Sequence, residues 1–353
     1  MHNRAIMETG NRAYSCLNSP ELDRLIFEFK TYGSSEVFWH LVRKFAKGGL
    51  REFALAKMRK AYAEHDRRVI NFLKNLEISG LENYVKDLYF ERTGEVLDLK
   101  SPQNFNQKIQ WLKIHDNQEI KCKLSDKFAV REWIKDKIGE KYLIKLFKVW
   151  DSADEINFDG LPDKFFLCPN HASGSNLIVN NKNLINLKDV QREAAYWLSF
   201  VYGVVGYEPQ YFDIPRKILA EEFIQQSDGD LLDYKIHCFN SEPKIIQIIG
   251  GRDLKTHTAH EAFFAPDWTR NDLMYHTYEQ YDKDNEPKRP ANFDEILDIS
   301  RELSKGFKYV RVDLYNLDGN IKFGEMTFTP ACGFSKWASE QSSKTAGDFI
   351  EIN

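Results

Sequence analysis

Cysteine is scarce in this chain and unpaired. Cys16, Cys122, Cys168, Cys238 and Cys332 are an odd five among 353 residues, with no two at metal-ligand spacing. That pattern suits a reducing cytosol and argues against a zinc site. Long apolar runs are missing too: no window approaches the ~20 apolar residues that a membrane span needs. The opening MHNRAIMETGNRAYSCLNSP lacks the apolar core of a signal peptide, so the protein is expected to stay in the cytoplasm. Nor is there an excess of one charge. A formal net charge of -4 gives no global pull towards nucleic acid, which is not expected as a partner. Internal repeats and low-complexity linkers are absent. What is present, 42% hydrophobic and 14% aromatic residues, is enough to fill the cores of two or three modest soluble domains.

From Pro20 to about Glu91 the apolar residues fall at helical spacing, as in Leu22, Leu25, Ile26 and Phe29. The stretch from Arg43 to Arg68 is basic, with Arg43, Lys44, Lys47, Arg51 and Lys57 among its cations. A solvated helix face is the simpler reading; docking on anionic lipid of the inner membrane is the alternative. After Pro102 the character becomes mixed. Helices are expected from Asn104 to His115, from Ser125 to Lys137 and from Leu187 to Tyr202. Strands are expected over Tyr142–Trp150, Lys164–Pro169, Ile218–Gln225, Tyr234–Asn240 and Lys244–Gly250. Asn292 and Glu295 read as a capping box for a helix stopping at Gly306.

The strongest local signal is a hairpin: Tyr309 to Tyr315, a turn at Asp318-Gly319, then Lys322 to Thr327. Alternation puts Arg311 and Asp313 on one face, with Glu325 and Thr327 on the corresponding face of the returning strand. Two carboxylates suit magnesium, and Arg311 would neutralise a phosphoryl group in transfer. A surface hairpin with an ordinary ion pair has the same spacing.

Arg-x-Asp followed by Glu-x-Thr-x-Thr-Pro resembles the metal-binding end of ATP-grasp enzymes. Thr327 stands where that family commonly has Asn, and its hydroxyl can reach magnesium directly or through water. The resemblance continues through Asn104–Lys113, Asp126–Arg131, His171–Asn176 and Asp230–Lys235. From about Arg92 to Phe334 the chain is similar to the teichuronopeptide-type, TupA-like branch, found with bacterial capsule and exopolysaccharide genes. The resemblance implies an α/β (α+β) fold of two subdomains clamping the nucleotide, preceded by helices. The expected divisions are 1–100, a helical region; 101–219, with the phosphate loop; and 220–353, with the adenine hinge and metal hairpin.

It also implies residue roles. Glu221, Glu222, Phe223 and Ile224 would form the adenine hinge, and Asp228 or Asp230 would bind ribose. The loop at His171, Ser173, Gly174 and Ser175 would cradle phosphates. Cys168 stands where the family usually has a phosphate-binding lysine, so another cation is expected to substitute: Lys164, Lys145 or Lys148, with Lys235 and Arg252 contributing from the other subdomain. A nucleophilic Cys168 is the sharper alternative, an ordinary core cysteine the simpler one. Lys235, Arg252 and His257 are candidates for gripping an anionic acceptor, Arg311 for phosphoryl stabilisation, and Asp313, Glu325 and Thr327 for the metal.

The implied activity is an ATP- and Mg2+-dependent carboxylate–amine ligase acting on a small-molecule or glycan-precursor acid of a surface polysaccharide. A kinase, a glycosyltransferase or a catalytically weakened ATP-grasp binding protein are the alternatives.

Overall fold

The computed structural model describes residues 49–352 apart from 117–118, 228–229, 254–257 and 272–277. Asp228, His257 and the start of the basic stretch, 43–48, therefore lie outside the described residues. The chain forms two compact units, residues 1–71 and 72–353. Helix α1, Gly49–Lys74, carries most of the basic stretch.

In the larger unit, helices α2 (Ile78–Thr93) and α3 (Phe105–His115) come first. Asn104 caps α3 by accepting the Gln107 amide at 3.0 Å, the preferred way to satisfy an orphan N–H at a helix start. A single helix over Ser125–Lys137 does not form. Instead α4 spans Glu119–Ser125 and α5 spans Val130–Lys137. The break comes from Asp126, whose Oδ1 accepts the Phe128 amide at 2.8 Å and bends the backbone into a turn.

The first sheet has the order β1-β4-β2-β3, from β1 (Leu146–Trp150), β2 (Phe165–Pro169), β3 (Leu177–Val179) and β4 (Ile218–Glu221). Helix α6, Leu187–Trp197, covers it with Val190, Ala194 and Trp197. The expected strand to Gln225 stops at Glu221; residues 222–226 form no ladder on the way to the second sheet.

The second sheet has six strands in the order β10-β9-β5-β6-β7-β8. They are β5 (Asp233–Phe239), β6 (Glu242–Asp253), β7 (Thr258–Phe264), β8 (Glu279–Gln280), β9 (Tyr309–Leu317) and β10 (Asn320–Thr327). His260 lies on β7. One face of this sheet is sealed by α7, Phe293–Ser304, through Phe293, Ile296 and Leu303 against Ile236, Val310 and Val312. The expected capping box at Asn292 is not made. Its side chain is taken by the hairpin, donating to the Gly319 carbonyl at 3.0 Å and accepting from Asn316 at 2.8 Å.

On the opposite face, Phe239, Phe263 and Tyr309 pack under α3 and the last helix, α8, Glu340–Asp348. That covers one end of the face. The other end carries charged residues at alternate positions of β5, β9 and β10. Among the described residues no helix is long and apolar enough to cross a membrane.

Candidate active site

The register of the second sheet lines up the chemistry. Lys235 lies opposite Asp313, and Asp313 lies opposite Glu325, so three strands contribute one row. In the next row His237, Arg311 and Thr327 are aligned in the same way. A bulge at Gly324 shifts the returning strand into this register. A Cβ there would meet the Asp313 carbonyl at 3.0 Å, a reason for glycine at a bulge.

Asp313 is 2% exposed and has both carboxylate oxygens engaged. Arg311 Nε donates to Oδ1 at 2.6 Å, while Arg311 Nη2 and Lys235 Nζ donate to Oδ2 at 2.7 and 2.5 Å. Arg311 Nη2 also reaches Glu325 Oε1 at 3.3 Å and Thr327 Oγ1 at 3.0 Å. Burial alone would raise the Glu325 carboxyl, but Lys127, Arg311 and Lys235 outweigh it and hold the group at about 2. Burial likewise opposes the charge of Lys235, and Asp233 with Asp313 reverses that and raises its pKa. The site is a lattice of alternating charge, in which burial outweighs Arg311 and Lys235 at Asp313 and raises its carboxyl.

Lys127 was not singled out from the sequence, though it stands in the Asp126–Arg131 match. Its backbone amide donates to the Asn170 carbonyl at 3.0 Å, and Asn170 Nδ2 donates to Asp126 Oδ1 at 2.8 Å. So fixed, Lys127 Nζ donates to the Ala172 carbonyl at 3.0 Å and pairs with Glu325 Oε2 at 3.2 Å. It thus joins the loop after β2 to the hairpin of the second sheet. Burial disfavours its charge, but the Glu325 carboxylate more than compensates and raises its pKa.

The lysines expected to replace the missing cation at Cys168 are engaged elsewhere. Lys148 donates to Asn157 at 2.7 Å, Lys145 lies over the Phe147 ring, and Lys164 lies over Phe223 at 3.7 Å while donating to Gln225 at 3.3 Å. Lys127 is the cation whose charge acts on the Cys168 thiol. Cys168 itself is 4% exposed, and burial raises its thiol well above the ordinary value, so it is a protonated core residue rather than a nucleophile.

His171 is a correction as well. Its ring is buried, with Nε2 at 3.2 Å from the Trp197 carbonyl, and burial followed by Arg216 lowers it to about 4. A neutral inward-facing imidazole offers no charge to a phosphate. Ser173 and Gly174 are exposed in the loop between β2 and β3, Ser175 is half-buried, and Gly174 has φ +74°.

In the hinge, Glu221 closes β4 and pairs with Arg131 at 3.0 Å; burial raises its carboxyl against the pull of Arg131. The Glu222 amide donates to the Lys145 carbonyl at 2.9 Å. Phe223 and Ile224 are half-buried. Asp230 is committed to local backbone: Oδ1 accepts the Leu231 amide at 2.7 Å and Oδ2 the Gly251 amide at 2.9 Å. Across the second sheet, Arg252 Nη2 pairs with Asp233 Oδ2 at 2.9 Å, and Lys235 reaches the same oxygen at 3.0 Å.

Two sheets joined by a short hinge, with a carboxylate hairpin facing a small-residue loop, define an ATP-grasp architecture. The family model described as TupA-like ATPgrasp matches residues 107–351, and the chain belongs to the TupA-like ATP-grasp family. No curated protein matches the chain.

Solved structures similar to it include D-alanine–D-alanine ligase from Bacillus anthracis complexed with ATP, at 17% identity, 65% coverage of each chain and TM-score 0.39. The Helicobacter pylori D-alanine–D-alanine ligase is similar at 14% identity, with 70% of this chain and 66% of that one covered and TM-score 0.37. The ATP-grasp ligase PsnB, complexed with a phosphomimetic precursor variant, Mg and ADP, is similar at 10% identity, with 69% and 64% covered and TM-score 0.39.

Proposed function

We propose that this protein is an ATP- and Mg2+-dependent carboxylate–amine ligase that works through an acyl phosphate, on a carboxylic acid of a bacterial capsule or surface polysaccharide. The observation that carries the reading is the row Lys235, Asp313, Glu325, flanked by Arg311 and Lys127. Asp313 and Glu325 offer hard oxygen donors on adjacent strands, with Thr327 Oγ1 beside Glu325 at 3.2 Å. Among the described residues no group of three or more His, Cys, Asp or Glu makes a ready cage. The donor set therefore fits magnesium, which takes one or two carboxylates and completes its shell with phosphate and water oxygens.

Bound ATP with magnesium supplies the phosphoryl group and the electrophilic pull on it. The protein's part is positional and electrostatic. Arg311, Lys235 and Lys127 are pre-ordered by carboxylates, so they need no reorganisation to stabilise charge on a phosphoryl group in flight. Ser173 to Ser175 provide loop amides near that position, Glu221 to Ile224 serve the base, and Arg252 grips an anionic acid. Enclosure of the row between the sheets keeps water from the acyl phosphate.

The test is incubation with MgATP, a set of acids (glucuronate, galacturonate and glutamate) and primary amines, followed by ADP release and product mass. An amide with inorganic phosphate supports the reading. A phosphate ester means a kinase. Absence of ADP together with absence of ATP binding by calorimetry means that the chain does not use ATP.

A further inference from the structure

Asp313, Glu325 and Asp233 stand on the charged end of the second sheet, and two of the three are fully engaged. Both oxygens of Asp313 hold cations, and Glu325 holds Arg311 on one oxygen and Lys127 on the other. Asp233 differs. Its Oδ2 takes Lys235 at 3.0 Å and Arg252 at 2.9 Å, whereas its Oδ1 is buried with no hydrogen-bond partner among the described residues. The residue is 5% exposed. A buried carboxylate oxygen without a donor is costly and rare in folded proteins, so it marks a place where a donor belongs.

Its position indicates which donor. Asp233 is opposite Tyr315, one row along β5 and β9 from Lys235 and Asp313, a step of about 7 Å. Lys235 Nζ bridges the two rows, 3.0 Å from Asp233 Oδ2 and 2.5 Å from Asp313 Oδ2, so Asp233 stands beside the proposed phosphoryl site. Of the two side chains on Oδ2, Lys235 is 13% exposed and Arg252 36%, so the more open approach to Asp233 is on the Arg252 side, where the guanidinium also lies over the Tyr278 ring.

We propose that Asp233 receives the attacking amine through Oδ1, and receives it as the neutral free base. This rests on the ligase reading above. Two cations already balance the Asp233 carboxylate, so a third full positive charge, an ammonium, is repelled where an uncharged N–H donor is not. The free base also carries the lone pair that attacks. In the step, the nitrogen forms a bond to the acyl carbon, the carbon–oxygen bond to phosphate breaks, and inorganic phosphate leaves with that electron pair. The nitrogen loses one proton, which passes to the departing phosphate.

The wild-type protein tests this first, with MgATP and glucuronate, galacturonate or glutamate as acid. Glycinamide and butylamine are compared at pH 7, where their amines resemble an α-amino group and a lysine side chain, with pKa values near 8 and 10.4. The expected result is a KM for total glycinamide roughly a hundredfold below that for butylamine, following the free-base fractions. Equal values at one pH overturn the inference, and protein titration cancels in the comparison.

Asp233→Asn gives the second readout. The expected outcome is a KM for amine raised about tenfold or more, the loss of one good contact. Oxygen exchange in bridge-labelled ATP with acid alone, which reads acyl phosphate formation, should fall less than amide formation does, because Asp313 still holds Lys235 at 2.5 Å. Parallel loss of exchange and amide formation means that Asp233 acts only by holding Lys235 and Arg252, and the inference falls. If no acid supports either exchange or ADP release in the wild type, the ligase reading fails and takes this inference with it. Exchange without an amine preference sinks the inference alone.

Discussion

At the scale of single residues, the site depends on which cation faces Cys168. Lys127 occupies that role, so a lysine introduced at 168 would meet a like charge in a dry place. Cys168→Lys is expected to weaken ATP binding, and Lys127→Met to weaken it by about tenfold or more, since a charge-assisted contact is worth roughly 1.5–3 kcal/mol. Calorimetric titration with MgATP checks both; tighter binding by Cys168→Lys would reverse the assignment.

A second residue-scale expectation concerns acid. His171 and His237 are both buried, and burial is the first cause of their lowered values, about 4 and about 3. Unfolded, each takes a proton near pH 6.5. Between that value and the folded one the unfolded chain binds more protons, so stability falls as pH drops below about 6.5. Each contributes up to about 1.4 kcal/mol per pH unit. Urea unfolding at pH 7 and pH 5 should show this loss, and His237→Gln should make it shallower; an equal slope in that variant would sink the attribution.

At the scale of elements, the motif Asn104–Lys113 holds the turn that follows the hairpin. Asn106, Gln110 and Lys113 form a polar stripe on α3, and all three bond the turn that follows β10. Asn106 donates to the Ser335 carbonyl at 2.8 Å and Gln110 to the Gly333 carbonyl at 3.0 Å. Lys113 donates to the carbonyls of Cys332 and Gly206 at 2.6 and 2.8 Å. The turn is strained, with Ala331 and Cys332 at φ +47° and +55°, a conformation that persists only when neighbours over-determine it.

Burial, partly offset by Glu208, lowers Lys113 to about 8. Lys113→Met leaves buried acceptors without a donor and should destabilise the protein by about 1–3 kcal/mol, read as a lowered urea midpoint. A change under about 0.5 kcal/mol would mean the turn holds without α3.

The helix was legible in the sequence because its periodicity is a local signal, whereas its cap at Asn104 was not read. The hairpin was legible too, from its alternation and Asp-Gly turn. What α3 grips was not legible, because the acceptors are backbone carbonyls 93 to 229 residues away. The same limit hid Lys127: its motif could be read, but its approach to Glu325 depends on Asn170 and on the packing of two sheets. The lysines chosen instead shared a strand with Cys168 or preceded it. Their actual partners, Asn157, Phe147 and Phe223, are set by tertiary placement that spacing cannot give.

At the scale of the molecule, the basic stretch 43–68 remains outside the family match at 107–351. If it brings the protein to the inner membrane, flotation with anionic liposomes at low salt should carry the protein upward, and Debye screening should release it at high salt. Protein left at the bottom at low salt would favour the solvated helix face.

The last expectation joins the two sheets, and it separates the two carboxylates that the sequence treats as equivalent. Both Asp313→Asn and Glu325→Gln are expected from the hairpin pattern to abolish magnesium-dependent turnover and leave the fold intact. The geometry divides them. Asp313 is 2% exposed and holds Arg311 and Lys235, so its neutralisation leaves two buried cations short of a partner and should cost about 3–5 kcal/mol. The Glu325 side chain is 29% exposed, and its loss costs less.

Glu325 also pairs with Lys127 at 3.2 Å, beside the loop that follows β2 of the first sheet. A ligand that binds only the folded state stabilises it by about 2.7 kcal/mol at a hundred times Kd. MgATP should therefore raise the melting temperature of the wild type, and ATP with EDTA should raise it less. Glu325→Gln should melt near the wild type without ligand but lose the magnesium-dependent part of the shift. A full magnesium-dependent shift in Glu325→Gln would remove Glu325 from the metal site and leave Asp313 as its protein carboxylate.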